Sequence, residues 1–400
     1  MLAASAGRLV GSLVFAVGIT GGLVVYKKWR RRNEELPTTI RSSQNEMLSP
    51  LIEQDDDTEE FNLEEMRDKI ARRGKVELHS HLNGSVRRST MNELLPPTPE
   101  EGDGIVHTIE DAFREFKKVY KVINTESSLR RVVRETLEDS LKDNVRYLEL
   151  RTTPRKLNDI TNRRDYVRIV AEEIFRFPHL NGERPIKSFP RGTVAVRLIL
   201  TVDRTQPVSV AEQTVDIALR FPDIVVGIDF AGNPTQGTFA DFVSVFARAK
   251  GHGLFITVHT SEIRGVEDET NAIVNFRPHR VGHFLFPTEE QIRIVREAGI
   301  CIESCPTSNI CALSGKSPVD GDMNNHSILE RFIRDPDGMI SICTDDPGVF
   351  DVSLSDELFA VAKTFKLNKK EIDRMILAPT KHAFLSKAER EVLASSIISD

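Results

Sequence analysis

The feature that most limits what this chain can fold into is a regular alternation. Eight short apolar runs, at 75–79, 145–150, 194–202, 224–230, 254–259, 280–284, 300–304 and 339–344, are separated by stretches of helical periodicity. Runs of this length, bounded by turn residues, read as buried strands. Helical patterns fit 109–122, 127–142, 165–176, 209–220, 238–250, 289–298 and 355–366; within 127–142, Leu129, Val132, Val133, Leu137 and Leu141 repeat at helical spacing. Thr108 with Asp111 resembles a capping box ahead of the helix at 109–122. Strands alternating with helices imply a parallel α/β architecture. Two folds satisfy that requirement, a doubly wound open sheet and a (β/α)8 barrel.

The polar residues at the ends of the runs choose between them. Val76-Glu77-Leu78-His79-Ser80-His81 places two histidines two positions apart, on the same face of a strand. Leu254-Phe255-Ile256-Thr257-Val258-His259 ends on a histidine, with Glu262 three residues later. Arg280-Val281-Gly282-His283 ends on another, and the run from Met339 leads into Thr344-Asp345-Asp346-Pro347. A lone buried histidine is ordinarily a hydrogen-bonded core residue, and Asp-Asp-Pro ordinarily a turn or helix cap. The same placement on four separate runs needs a common cause. In a (β/α)8 barrel the C-terminal strand ends carry the active site, and no glycine-rich phosphate loop follows the first run, as a doubly wound nucleotide-binding sheet would require. The expected fold is an α/β TIM (β/α)8 barrel of the metal-dependent hydrolase type, spanning 63–400, behind an N-terminal hydrophobic segment.

Three histidines and a carboxylate can hold a divalent transition metal and leave a position for water, and the mixture favours zinc over calcium or magnesium. The expected ligands are His79, His81, His259 and Asp345, with one zinc ion per chain activating water. Asp345 can also orient the nucleophile. Glu262, one turn beyond His259, is the expected proton shuttle, His283 a base or electrostatic group beside the nucleophile, and Asp346 a substrate contact.

Outside the barrel the sequence divides further. Residues 9–26 carry no charge and are followed by Lys27, Lys28, Arg30, Arg31 and Arg32. Eighteen uncharged positions stand at the lower limit for spanning a bilayer, and the positive flank places the C-terminal bulk in the cytosol. Residues 1–32 therefore read as a membrane anchor or a targeting segment, leaving a cytoplasmic catalytic domain, and 33–62, with an acidic run at 55–60, as a flexible linker. Net charge is −6, and residues 1–40, with six Lys or Arg against two Asp or Glu, hold +4 of it, so the remainder carries −10. No broad basic surface argues for nucleic acid. Cys301, Cys305, Cys311 and Cys343 lie in or beside the strand runs without disulfide or zinc-ribbon spacing, and read as buried thiols of a reducing compartment. Nothing demands more than a monomer.

From Val76 to Phe365 the chain resembles the adenosine/AMP deaminase family, whose HxH, H-x-x-E, GH and TDDP motifs correspond to His79-Ser80-His81, His259-Thr260-Ser261-Glu262, Gly282-His283 and Thr344-Asp345-Asp346-Pro347. Asn83-Gly84-Ser85, Tyr147 to Arg155 and Val202-Asp203-Arg204 resemble most the adenosine deaminase-like subgroup, which acts on N6-methyl-AMP and related N6-substituted purine monophosphates. The resemblance implies hydrolytic deamination of a purine nucleotide or nucleoside. Glu262 would protonate N1, Asp346 hold N7, and Gly232, in the turn Ile228 to Thr235, meet the N3 edge. Asn83 replaces an aspartate of true adenosine deaminases and can donate to a phosphate, with Arg155 and Arg204 as charged partners. Thr152 and Thr153 offer hydroxyls at the same rim, and His81, Tyr120 and Pro154 complete the expected lining. Phe284 stands where many relatives have glycine, Ser261 where they have a small residue, and Tyr120 where close relatives have histidine. Adenosine as the main substrate, and a catalytically silent membrane-anchored purine sensor, are the alternatives. A two-metal hydrolase would need a bridging lysine that Val225–Phe230 lacks, and the cytidine-deaminase signature is absent.

Overall fold

A computed structural model of the chain describes residues 62–95, 109–312 and 322–399. The segments at 9–26 and 33–61, Thr108 and the side chains of Asp111 and Cys311 lie outside what it describes. Among the described residues no helix is long and apolar enough to cross a membrane.

The eight expected strands form: β1 Lys75–His81, β2 Val145–Thr152, β3 Ala195–Asp203, β4 Val225–Ala231, β5 Phe255–Thr260, β6 Arg280–His283, β7 Cys301–Ser304 and β8 Ile340–Ile342. They pair in sequence order and in parallel. The seam between β8 and β1 is closed by two backbone bonds past the end of β8, His81 N to Asp345 O (2.7 Å) and Asp345 N to His79 O (2.8 Å). The fold is the expected (β/α)8 TIM barrel. β2 is buried at every position, which fits a strand covered on both faces.

Helices α1 Leu63–Arg72, α2 Arg88–Leu94, α3 Ile109–Val122, α4 Glu126–Lys142, α5 Arg163–Phe175, α6 Val208–Ala218, α7 Phe239–Gly251, α8 Glu267–Phe276, α9 Glu289–Ala298, α10 Pro306–Ala312, α11 Ser327–Phe332, α12 Pro347–Phe350, α13 Leu354–Thr364, α14 Lys369–His382 and α15 Lys387–Ile398 complete the chain. In α4 the stripe Leu129, Val132, Val133 and Leu137 is buried as its spacing requires, while Leu141 at its end is half-buried. Eight helices escaped the sequence reading, the short α2, α10, α11 and α12 and the longer α1, α8, α14 and α15. Helix α1 starts inside the polar stretch, where the Asn62 side chain accepts the Glu65 N–H. Helices α8, α14 and α15 carry short or interrupted apolar stripes, α14 with Pro379 inside it.

The segment after α14 plugs the lower end of the barrel. Phe384 stacks on Phe255 at the start of β5 (centroids 4.6 Å apart, planes at 7°) and lies under the Arg280 guanidinium at the start of β6 (3.4 Å). Gly227 of β4 is required there, because a Cβ would stand 2.9 Å from the Phe255 carbonyl and 3.1 Å from the Phe384 ring.

Candidate active site

β1 delivers its two histidines to one face. His79 is fully buried and His81 partly so, and the Nε2 of each lies 3.3 Å from Asp345 Oδ1. His259, from the end of β5, brings its Nε2 to 3.2 Å from that of His81. These separations match the donor–donor edge of about 3.3 Å expected around a tetrahedral ion with bonds of 2.0–2.1 Å. His79 Nε2 is buried without a hydrogen-bond partner among the described residues.

The outer ring nitrogens explain why the inner ones converge. His79 Nδ1–H donates to Glu303 Oε2 (2.8 Å), and His259 Nδ1–H to Asp229 Oδ1 (3.0 Å). Each bond fixes the tautomer and turns the Nε2 lone pair inward. Burial opposes charge on His259, but Asp229 outweighs it and lifts the ring to about 9, which makes it a strong donor. Burial holds His81 well below its ordinary range, so it too offers a lone pair.

Charge supports the same reading. Within the barrel, Glu149, Glu303 and Asp229 face Arg151 and Arg280, all five fully buried. That leaves one uncompensated negative charge, and Asp345, held anionic by the histidines against the cost of burial, makes two, against which the raised His259 sets one positive charge while it keeps its proton. A divalent cation among these donors would neutralise them. The donor set fits a metal, with His79, His81, His259 and Asp345 placed to hold it.

His283, at the end of β6, sits in the same cluster: donor atoms of His79, His259, His283 and Asp345 lie within 4.8 Å of one another, so distance alone does not separate it from the ligands. Its Nδ1–H donates to Asn309 Oδ1 (3.0 Å), leaving Nε2 as an acceptor 3.8 Å from Glu262 Oε1. Burial keeps the ring neutral, down to about 3, and pushes the Glu262 carboxyl up. Ser308 Oγ–H donates to Asp345 Oδ2 (2.6 Å), leaving Oδ1 towards the histidines. Burial and the adjacent Asp345 push Asp346 well above the carboxylate range, and its Oδ1 is buried without a partner. Gly84 makes room for it, since a Cβ there would stand 1.7 Å from that oxygen.

Four non-glycine residues at this rim have left-handed backbone: Ser261 (φ 54°), His283 (62°), Phe284 (55°) and Asp345 (62°). Such strain concentrates where side chains must be aimed. Two of the three departures from the family pattern are structural, and the third, Tyr120, lines the cleft. Phe284 is buried in the core, and Ser261 Oγ accepts the Phe286 N–H (3.0 Å).

A cleft of about 330 Å³ opens on this cluster, lined among others by Asn83, Tyr120, Thr153, Gly232 and Asp346 with Phe116, Leu285 and Phe350. Asn83 Oδ1 is buried and has no hydrogen-bond partner among the described residues. A second cavity of about 260 Å³ shares Tyr120, Thr153, Thr201 and Asp203 with the cleft and is lined further out by Pro154, Arg155 and Arg163. Arg155 lies over the Tyr120 ring (4.6 Å) and donates to Ile123 O (2.6 Å). Two expected residues do not line either space. Thr152 is buried against the Tyr166 hydroxyl (2.9 Å). Arg204 is buried and spends its donors on Glu269 (2.6 and 2.9 Å) and on the carbonyls of Gln236 and Gly237 (2.8 and 3.0 Å).

Sequence reasoning missed Asp229, Glu303, Ser308 and Asn309. Their signal was present: charged residues inside apolar strand runs, and a polar Thr307-Ser308-Asn309 in the first turns of the helix α10 that follows β7.

The sequence model described as adenosine deaminase matches residues 74–400. An adenosine deaminase-like protein of Drosophila pseudoobscura pseudoobscura is 35% identical over 340 residues, covering 81% of this chain and 94% of the relative. An N6-mAMP deaminase of Arabidopsis thaliana is 34% identical over 321 residues, covering 74% and 88%. The crystal structure of arabidopsis ADAL complexed with IMP superposes with a TM-score of 0.73 at 30% identity, over 83% of this chain and 98% of that one. The chain belongs to the adenosine deaminase family.

Proposed function

We propose that this enzyme removes the 6-amino substituent from N6-methyl-AMP and related purine monophosphates, leaving IMP, with zinc at the histidine centre. The observation that carries the reading is the convergence of three imidazole Nε2 atoms and Asp345 Oδ1 on one point beside Glu262 and His283. A divalent ion bound there supplies the Lewis acidity that makes hydroxide available near neutral pH. Glu262, with its proton affinity raised by burial, gives a proton to ring N1 as C6 is attacked. Asp345 and the acceptor nitrogen of His283 take the proton of the attacking water. Asp346, protonated, can donate to N7. As the C6–N bond breaks, the proton taken from water passes from Asp345 and His283 to the departing amine, the C6 hydroxyl gives its proton back to Glu262, and a C6 carbonyl remains.

Monophosphate preference is supported by the relatives named N6-mAMP deaminase and by the IMP complex of the arabidopsis structure. The apolar side chains of the cleft suit an N6-alkyl group, and Arg155 with Arg163 can receive a phosphate extending into the second cavity. One observation favours adenosine instead: no Lys or Arg lines the main cleft, while Asp203 does. Parallel turnover of adenosine, AMP and N6-methyl-AMP by the zinc-loaded protein decides it. Preference for the monophosphates supports the reading, and preference for adenosine overturns it. The uncharged run 9–26 with its basic flank supports a tether to an intracellular membrane with the barrel in the cytosol. Loss of membrane association on deleting residues 1–32 tests that.

A further inference from the structure

The charged column beneath the metal centre continues to the C-terminal plug. From the top, Glu303 accepts the His79 Nδ1–H and is gripped from two sides. Arg151 Nη2 donates to its Oε2 (2.8 Å), and Arg280 Nε donates to its Oε1 (2.5 Å). Arg280 in turn gives Nη2 to Glu149 Oε2 (2.5 Å) and Nη1 to the His382 carbonyl (2.9 Å). Glu149 closes the chain, accepting the Phe384 N–H (2.5 Å) and the Tyr147 hydroxyl (2.8 Å). Phe384 presents its ring face to the Arg280 guanidinium at 3.4 Å, where a desolvated cation over an aromatic face is stabilised. The guanidinium is thus fixed by Glu303, Glu149, the His382 carbonyl and the Phe384 ring, none of which lines the cleft. A planar fork held in this way defines where Glu303 sits, and Glu303 defines how His79 is turned.

We infer that the plug at His382–Phe384 sets the metal affinity of the distant centre, with Arg280, Glu149 and Phe384 as positioning residues that act through Glu303 on His79. The inference rests on the centre holding a divalent ion. It goes beyond that reading by assigning a metal-binding role to a segment at the opposite end of the barrel.

The test measures zinc affinity of the full chain by chelator competition, together with the d–d spectrum of the cobalt-substituted protein and the unfolding of the metal-free protein. Phe384→Leu keeps apolar bulk and removes the ring face, and Glu149→Gln keeps the shape and removes the charge opposite Arg280. Loss of ligand orientation ordinarily weakens metal binding by about 10–100-fold, so at least a tenfold rise in the zinc dissociation constant, with altered cobalt bands, is expected for each. Leu393→Ala, a buried position of α15 outside the column, is the control: it should lower the unfolding midpoint and leave zinc affinity unchanged. If the two column variants also lose only global stability, and zinc affinity and cobalt bands stay as in the unaltered chain, the inference is overturned. If one variant does not fold, the other decides on the same readouts. Failure of the unaltered chain to bind zinc or cobalt would overturn the metal reading itself.

Discussion

Inside the barrel Glu149, Glu303 and Asp229 each face a guanidinium, whereas at the C-terminal rim His79 Nε2, Asn83 Oδ1 and Asp346 Oδ1 are buried with no partner among the described residues. The rim also holds the left-handed Ser261, His283, Phe284 and Asp345. Each unpartnered buried group costs about 1–3 kcal/mol, and each strained residue a similar amount. A fold tolerates such costs where a ligand will meet the exposed valences. The comparison teaches that the interior column spends its charge on holding geometry, while the rim reserves it for chemistry.

The sharpest way to break this division is one substitution on each side. Glu262→Gln should lower kcat by about 10²–10⁴-fold, the range of general acid–base catalysis, with bound zinc and the unfolding midpoint unchanged or the midpoint raised. Unchanged turnover would remove Glu262 from the proton role. Arg151→Met in the column should act first on stability, costing about 3–5 kcal/mol, because Glu303 and Asp229 lose a buried partner. Denaturant unfolding measures it, and a loss below about 1 kcal/mol would mean that the column contributes little to holding the barrel together.

Gly84→Ala probes the border between the regions. Its Cβ must displace the Asp346 carboxyl, so KM should rise by about tenfold, the equivalent of one 1.4 kcal/mol contact, with zinc retained. An unchanged KM would show that Asp346 does not bind substrate.

The plugged base should add to the acid lability that the neutral His81 and His283 give the rim. Burial presses His279 and His382 down to about 4 from 6.5. The unfolded chain therefore takes up these protons first. Their contribution is intact above pH 6.5 and is lost as pH falls from 6.5 towards 4. Allowing for partial solvent access, about 1 kcal/mol per histidine is expected near pH 5. His382→Gln should flatten this slope of unfolding free energy against pH by about half of the summed contribution, and an unaltered slope would exclude it.

What the sequence conveyed and what it withheld follow the same division. Period and position alone placed His79, His81, His259, His283 and Asp345 at strand ends, because a barrel sends every C-terminal strand end to one rim. The strand limits held to within a few residues, and β8 stops before Asp345 because the chain there turns left-handed to close the seam. The column was illegible, since Arg151, Glu149, Arg280 and Glu303 pair across strands far apart in sequence, and no local pattern encodes who faces whom. The same limit applies to Arg155 and Arg204. Both follow strand ends, yet their partners come from Ile123 and Glu269, which strand position alone does not reveal.

Those two arginines give the smallest and most discriminating comparison. Arg204 is 4% exposed, and its donors hold Glu269 and the turn after Gly232. A phosphate could recruit it only by breaking the largely buried pair in which Nη2 meets both Glu269 oxygens, at a cost of several kcal/mol. Arg155 spends one nitrogen on Ile123 O, leaves Nε without a hydrogen-bond partner among the described residues and lines the second cavity, so a phosphate can reach it without such a loss. Arg155→Ala should therefore raise KM for AMP and N6-methyl-AMP by about tenfold, one charge-assisted bond's worth, and leave adenosine untouched. Arg204→Met should lower kcat/KM for all three substrates by the same factor, through the Gly232 turn. The opposite pattern would make Arg204 the phosphate ligand and require the Glu269 pair to open on binding.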